Sequence, residues 1–387
     1  MIILVLNCGS SSLKYALYEW TKNVVLTQGM MELSSEGLNQ HREPLQKIIH
    51  SLASYQIAAV GHRVVHGGSV FKQSVIIQGD VLDHLKKLSE IAPLHNPPNI
   101  LGIESAMELL PHVPQVAIFD TAFHHTLPEI SFTYPIPYEW HEKYQVRRYG
   151  FHGTSHLYVS RRAARFLGLP TNQTNLIILH IGSGVSICAV REGISVDTSM
   201  GFTPLEGAMM GNRSGDIDPA IVSFMSDRLG FDAQQITSVL NTKSGHLGVT
   251  GQYSDRRDVV NAARSGDRRA QLSLDMEVYR LKKYIGAYLA VLGRVDAIVF
   301  TAGVGENSAI IRSNTLHGLE PFGIVLDEER NDMTQSSSGE TLLSTPESAI
   351  KLLMIPTHEE VVLVEDVVAL LEGYYQAHTQ YVYQFEK

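Results

Sequence analysis

This 387-residue sequence is poor in several features, and each shortage excludes something. Cysteine occurs only twice, as Cys8 and Cys188 without CxxC spacing, so neither a disulfide framework nor a cysteine zinc cluster is indicated. Basic residues are outnumbered, 31 Lys and Arg against 40 Asp and Glu, for a net charge of −9. A chain this acidic is a poor candidate for wrapping nucleic acid or an anionic membrane surface. No apolar stretch approaches the roughly 18 residues of a membrane span. The opening run at 1–6 lacks the basic flank and the length of a signal segment. GxxxxGK[ST] and GxGxxG do not occur, which removes the P-loop and disfavours a dinucleotide fold. The expectation is a cytoplasmic, reducing setting with no nucleic-acid or membrane partner, and any positive charge that matters must be local.

Hydrophobic residues make up 44% and charged residues 18%, as in a folded globular chain, and the length exceeds what one core usually serves. Two domains are therefore expected. Short apolar runs rich in β-branched residues, each ended by glycine or polar residues, recur at 2–6, 57–60, 116–119, 175–181 and 296–301. Runs without alternation suit strands buried on both faces. Helical patterns lie between them. Over 268–292, Leu274, Val278, Leu281, Ile285, Tyr288 and Leu292 fall at helical spacing before Gly293. Near the end, Val361, Val364, Val368 and Leu371 line one helical face before Gly373. The fold class is α/β. Residues 171–174 read as a surface turn, and the Ser/Thr/Gly-rich stretch 332–348 as an exposed excursion. No fixed-period repeat is present. However, Ile3-Leu-Val-Leu-Asn-Cys-Gly-Ser10 is echoed by Ile177-Ile-Leu-His-Ile-Gly-Ser-Gly184. Both read as a buried strand running into a Gly/Ser turn, which suggests two similar halves facing a shared cleft.

Three turns offer backbone to a phosphate. Asn7-Cys-Gly-Ser-Ser-Ser-Leu-Lys14 ends a strand in glycine and serines, with Lys14 supplying charge; a Ser-rich hairpin is the plainer alternative. His180-Ile-Gly-Ser-Gly184 is a second, valuable chiefly as the echo of the first. Phe300-Thr-Ala-Gly-Val-Gly-Glu-Asn307 is a third, where small residues at a strand's carboxyl end admit a ligand or merely pack a helix closely. Two arginines, Arg63 and Arg213, sit on Gly-rich loops, and bidentate guanidinium groups suit carboxylate and phosphate. His152 and His156 stand four apart, but Gly153 occupies the place where a zinc-protease helix needs glutamate. His152 then reads as a donor to a phosphoryl group or a core histidine, and His124 and His125 as packing or surface. Asp120 ends a buried run at a position that often faces a cleft. Glu359 and Glu360 either complement a helix dipole or supply a magnesium ligand.

Taken in order, longer strings are more specific. They are Leu4-Val-Leu-Asn-Cys-Gly-Ser-Ser-Ser-Leu-Lys14, His62-Arg-Val-Val-His-Gly-Gly68, Phe119-Asp-Thr-Ala-Phe-His124 and Arg148-Tyr-Gly-Phe-His-Gly-Thr-Ser-His156. Asp197-Thr-Ser-Met-Gly-Phe-Thr-Pro-Leu-Glu-Gly207, Arg213-Ser-Gly-Asp-Ile-Asp-Pro219, Gly303-Val-Gly-Glu-Asn307, Phe322-Gly-Ile-Val-Leu-Asp327 and Ile355-Pro-Thr-His-Glu-Glu360 follow. Over essentially the whole chain these strings resemble the acetate kinases of the acetokinase family. The resemblance implies two duplicated ribonuclease H-like domains of the actin-like ATPase type around a nucleotide cleft. The N-terminal domain would comprise 1–148 and a C-terminal helix at about 361–387; the other, 149–360, would carry the nucleotide-binding segments. It also implies reversible transfer of the ATP γ-phosphate to acetate, giving acetyl phosphate and ADP, with Mg2+ or, in substitution, Mn2+, in a homodimer.

Carried onto this sequence, the resemblance implies that Asn7 and Glu359 organise magnesium and that Lys14, with Ser10 and Ser12, lies near the phosphates. ATP would be lined by His180, Ile181, Gly182, Ser183 and Gly184, by Asp255, Arg256 and Arg257, and by Gly303, Val304, Gly305, Glu306 and Asn307. Arg63 would hold the acid's carboxylate, with Val65, Leu94, Phe151 and Pro204 around its methyl group. His152 and Arg213 would stabilise the transferring phosphoryl group, and Asp120 is the family's catalytic aspartate. Departures are Ser183 where the family usually has Asn, Asn212 for Thr, and His358 for Asn or Asp.

The chemistry agrees with those roles. The nucleophile is a carboxylate, already ionised at neutral pH, so no general base is needed. Catalysis then reduces to in-line positioning and neutralising charge on the transferring oxygens. Asp120 is accordingly expected to orient Arg63, Arg213 or a magnesium-bound water rather than to abstract a proton. Propionate kinase activity with overlapping substrates is the nearest alternative, butyrate kinase a more distant one. An actin-like or chaperone ATPase is the alternative from another class.

Overall fold

The apolar runs are too short for helices and too continuous for half-exposed strands, and they become the strands of two sheets. The computed structural model describes residues 1–9, 12–33, 41–93 and 95–387. Contacts divide the chain into two compact units: 1–125, 151–158 and 358–387 form the first, and 126–150 with 159–357 the second.

In the first unit the strands are β1 (Ile2–Cys8), β2 (Ser12–Glu19), β3 (Val24–Glu32), β4 (Ala59–Val64), β5 (Val75–Ile76) and β6 (Gln115–Phe119), in the order β3-β2-β1-β4-β6-β5. The pairs β3-β2, β2-β1 and β6-β5 are antiparallel, while β1-β4 and β4-β6 are parallel. The second unit holds β7 (Leu176–Ile181), β8 (Val185–Arg191), β9 (Ile194–Thr198), β10 (Ala297–Thr301), β11 (Thr341–Leu342) and β12 (Lys351–Met354). Read from the β9 edge its order is β9-β8-β7-β10-β12-β11, with the same sequence of antiparallel and parallel pairs. The echo between the two Gly/Ser turns is thus a repeat of topology: β1-turn-β2 in one sheet occupies the place of β7-turn-β8 in the other.

Both faces of β1 are buried, as an uninterrupted apolar run requires. Ile3 and Val5 face Leu363, Val364, Val367 and Val368 of the helix Glu359–Glu372. Leu4 and Leu6 face Leu45 and Ile48 of the helix Arg42–Ser51 and Ala106 of the helix Asn96–Leu109. In the second unit the helix Arg268–Leu292 begins at Asp267, whose side chain accepts the Arg269 and Ala270 N–H groups. It ends at Gly293 (φ 72°), a conformation that glycine adopts at little cost.

The stretch 332–348 is exposed as expected over 335–338 and at 346–347, but not throughout. It contains β11, and Thr334, Leu343, Ser344 and Ser348 are buried. The Leu343 N–H donates to the carbonyl of Leu352 in β12 (2.7 Å) and Ser348 Oγ donates to the Ile350 carbonyl (2.6 Å), so this part of the stretch is bonded along the sheet edge. Among the described residues no helix is long and apolar enough to cross a membrane.

Candidate active site

β4 and β6 are parallel neighbours with Val64 beside Phe119, so the chain delivers Arg63 and Asp120 to the same end of the sheet. Arg63 Nε donates to Asp120 Oδ1 (2.8 Å) and Nη2 donates to Oδ2, a bidentate fork. Glu359 Oε2 lies 3.7 Å from Arg63 Nε and accepts Thr154 Oγ1–H at 2.7 Å. Burial pushes the Asp120 carboxyl up to about 6; Arg63 opposes the rise, Glu359 adds to it, and a backbone hydrogen bond from His152 opposes it. Asp120 is therefore an anion at pH 7, and its charge in turn holds the Arg63 guanidinium firmly protonated against burial.

His152 follows with φ 58°, a left-handed conformation that few non-glycine residues adopt. The next residue must be glycine. Gly153 N donates to the Asp120 carbonyl (2.8 Å), and a Cβ at Gly153 would stand 2.2 Å from that same oxygen. His124, read from the sequence as packing or surface, is buried and donates Nε2–H to the Phe151 carbonyl (3.0 Å). It thereby fixes the residue on the other side of His152.

The loop beyond Arg63 is held by two residues that sequence reasoning missed, Asn96 and Asn99. Asn99 accepts the Val65 N–H (3.0 Å) and donates to the Cys8 carbonyl (2.6 Å), joining the Arg63 loop to the first turn. Asn96 makes a reciprocal pair with the backbone of His66, whose ring meets Phe151 edge-on at 5.5 Å. The signal was present: two asparagines bracket Pro97-Pro98 at a helix start, and both are buried. In the first turn Gly9 N donates to the Ser12 carbonyl (2.8 Å), and His41 Nε2–H donates to the Gly9 carbonyl (2.8 Å). Asn7 and Lys14 face one another across β1 and β2, with Lys14 exposed. Ser10 and Leu94 lie outside the described residues. Asn7 and Glu359 are oxygen donors, and Glu359, with its side chain 25% exposed, reaches solvent. One amide and one carboxylate fit a hard divalent ion that takes its other ligands from phosphate and water.

The second unit contains a cleft of about 1190 Å³, above the usual size of a small-molecule site. Its walls bring together three segments far apart in sequence: Gly182 and Ser183, Asp255 to Arg257, and Gly303, Val304 and Asn307. Gly184 adjoins them, while His180, Ile181, Gly305 and Glu306 are buried behind the wall. Asp255 caps the helix Arg256–Arg264, which lends Val260, Asn261 and Arg264 to the lining. Ala302 opens the helix Ala302–Asn307 with φ 65°, a second non-glycine residue in the left-handed region. Arg312, fully buried, donates to the Gly305 (3.0 Å) and Glu306 (2.8 Å) carbonyls and so ties down that helix's last turn.

Gly211 and Asn212 also line the cleft, which brings the loop before Arg213 to its edge. Burial lowers the Arg213 pKa without discharging it, and Nη1 donates to the Pro204 carbonyl (3.3 Å). The loop is laid on the helix Gly245–Thr250: the N–H groups of Ser244, His246 and Leu247 donate to the carbonyls of Asn212, Met210 and Gly211 at 2.9–3.0 Å. Gly245 (φ 61°) is needed there, because a Cβ would lie 2.1 Å from the Met210 carbonyl.

The chain as a whole resembles known proteins. A family model described as the acetokinase family matches residues 34–365. An acetate kinase of Trichlorobacter lovleyi and one of Geobacter sulfurreducens are each 54% identical, covering 100% of this chain and 99% of the relative. Among solved structures, an acetate kinase of Porphyromonas gingivalis superimposes with a TM-score of 0.88 at 41% identity, over 96% of this chain and 99% of that one. A propionate kinase of Francisella tularensis does so at 0.86 and 40%, over 94% and 97%. With full-length likeness above 50% identity and a family model over most of its residues, the chain belongs to the acetokinase family.

Proposed function

We propose that this chain transfers the terminal phosphoryl group of ATP to acetate, reversibly and by direct in-line displacement. An acetate oxygen forms the new P–O bond as the bond to the ADP oxygen breaks, giving acetyl phosphate and ADP. The observation that carries this reading is the fork between Arg63 and Asp120. It fixes a guanidinium before any ligand arrives, and among the described residues nothing engages Nη1, which leaves a donor for a carboxylate oxygen. Val65 and Phe151 pack against the acid's methyl group. His152 and Arg213 donate to the transferring oxygens. Ser183, Asp255, Arg257, Gly303 and Asn307 hold ATP at the cleft of the second unit, and Lys14 with Ser10 and Ser12 attends the phosphates. Asn7 and Glu359 would hold magnesium, with manganese able to substitute. A divalent ion there supplies charge that neutralises phosphate oxygens. Asp120 neither attacks nor abstracts; it positions Arg63. The chain acts in the cytoplasm as a homodimer, a reading supported by the buried free thiols Cys8 and Cys188 and by exposed apolar residues treated below.

Bulk at Val65 favours acetate, but one methylene is worth only about 1–3 kcal/mol, so propionate is expected as a weaker substrate. The test is a magnesium-dependent acyl-phosphate assay with acetate, propionate and butyrate, with Arg213→Ala as control. Turnover highest with acetate, and reduced at least about 100-fold in the variant, is the expected result. ATP hydrolysis indifferent to added acid would replace the reading with a chaperone-like ATPase.

A further inference from the structure

Glu277 is fully buried in the middle of the helix Arg268–Leu292, where a carboxylate is costly unless matched. It is matched twice. Oε1 accepts Arg256 Nε–H at 2.6 Å, and Oε2 accepts His246 Nε2–H at 3.1 Å. His246 Nδ1 meets Ser273 Oγ one turn earlier on the same helix, at 2.8 Å. Burial pushes the Glu277 carboxyl up, but Arg256 and His246 outweigh it and hold it at about 2, so it is an anion at every working pH.

Each arm ends on backbone at the candidate site. Arg256 Nη1 donates to the Gly182 carbonyl (2.7 Å) in the turn at the cleft wall. The His246 N–H donates to the Met210 carbonyl (3.0 Å), which anchors the loop leading to Arg213. Arg256 lines the cleft, but its side chain is 5% exposed and two of its donors are taken by Glu277 and Gly182, so it is held chiefly by the protein.

We infer that Glu277 is a positioning residue: through Arg256 and His246 it sets the Gly182 turn and the Arg213 loop in register with each other. A core carboxylate needs partners, but a purely structural pair has no reason to end on the two segments proposed to meet the phosphates. The inference rests on the reading of the cleft as the ATP site. Gly303→Val tests that reading separately, since a Cβ at Gly303 meets only open space and a larger side chain projects into the cleft.

The experiment measures steady-state constants and thermal stability for the full chain. Arg256→Met/Glu277→Met replaces the buried ion pair with apolar bulk, a change such pairs often tolerate. It is expected to keep the wild-type melting temperature to within a few degrees while kcat/KM for ATP falls about 10- to 100-fold and KM for acetate holds. Glu277→Gln, nearly isosteric, is the second variant, expected to lose about 10-fold in the same constant. Wild-type constants in whichever of these is folded would overturn the inference. Should Gly303→Val raise KM for ATP while the Glu277 variants keep the wild-type kcat/KM for ATP, the inference alone fails. Should Gly303→Val leave KM for ATP unchanged, the assignment of the cleft fails.

Discussion

Asp120 spends its carboxylate on Arg63 and its carbonyl on Gly153, so it governs a cation and a loop together. Asp120→Asn turns one acceptor into an N–H₂ group facing the guanidinium. We expect kcat/KM for acetate to fall at least about 100-fold, with little change in KM for ATP, measured by acetyl phosphate formation. Near-normal turnover would remove the positioning role. A pH signature goes with it. Burial raises the Asp120 carboxyl to about 6, so protonation below that pH loosens the fork, and the wild-type profile should show an acid limb near pH 6 that Asp120→Asn lacks. At this scale the strings singled out Arg63 and Asp120, which the structure brings into contact. The sequence was not legible for Asn99, His124 and Glu277. Their roles consist of long-range hydrogen bonds, and a glutamate amid a helical repeat reads as solvated until the fold surrounds it.

Among elements, the last helix shows what periodicity conveys and what it misses. The sequence places Val361, Val364, Val368 and Leu371 on one face, and Val364 and Val368 do pack on the first sheet. Yet residues 362–369 are all buried, because the chain after Gly373 folds back over the other face. There Glu365 accepts the Tyr381 hydroxyl (3.2 Å) and the Gln384 N–H (2.6 Å). Asp366 accepts Ser74 Oγ–H (2.6 Å) and Tyr383 Oη–H (3.0 Å). Carboxylates and a tyrosine-rich tail, distant in pattern, meet only in three dimensions. Burial pushes Glu365 up to about 7 and Asp366 up to about 6. Groups raised on folding contribute stability that is complete below their ordinary values near 4 and is lost as pH rises through 6 to 7. Asp366→Asn should therefore flatten the fall in melting temperature between pH 4 and 6. A slope equal to wild type would show that Asp366 does not set it. Strands made of continuous apolar runs, such as 116–119 and 296–301, were legible nearly to the residue, whereas the run at 57–60 is shifted into β4 (Ala59–Val64) and β2, β3, β8, β9 and β12 were not read, because their mixed side chains give no uninterrupted apolar run.

For the molecule as a whole, Ile221, Phe224 and Leu229 of the helix Ala220–Leu229, and Phe231 just after it, are each exposed in the second unit. We expect light scattering to give about twice the 42.8 kDa chain mass, and Phe224→Glu to shift the species toward the monomer. A monomer at micromolar concentration in the unaltered protein would end the homodimer proposal. The repeat of one sheet topology carries a different consequence. Arg63 and Val65 hang from the first copy, whereas Gly182, Asp255 and Gly303 hang from the second. Under the proposed function, the residues that choose among carboxylic acids come mostly from the first unit, with Pro204 from the second, while the cleft that would choose among nucleoside triphosphates belongs to the second, so selection on one has little need to disturb the other. A lineage moving from two-carbon to three-carbon acids could do so through changes near Val65 while its choice of purine stayed as inherited.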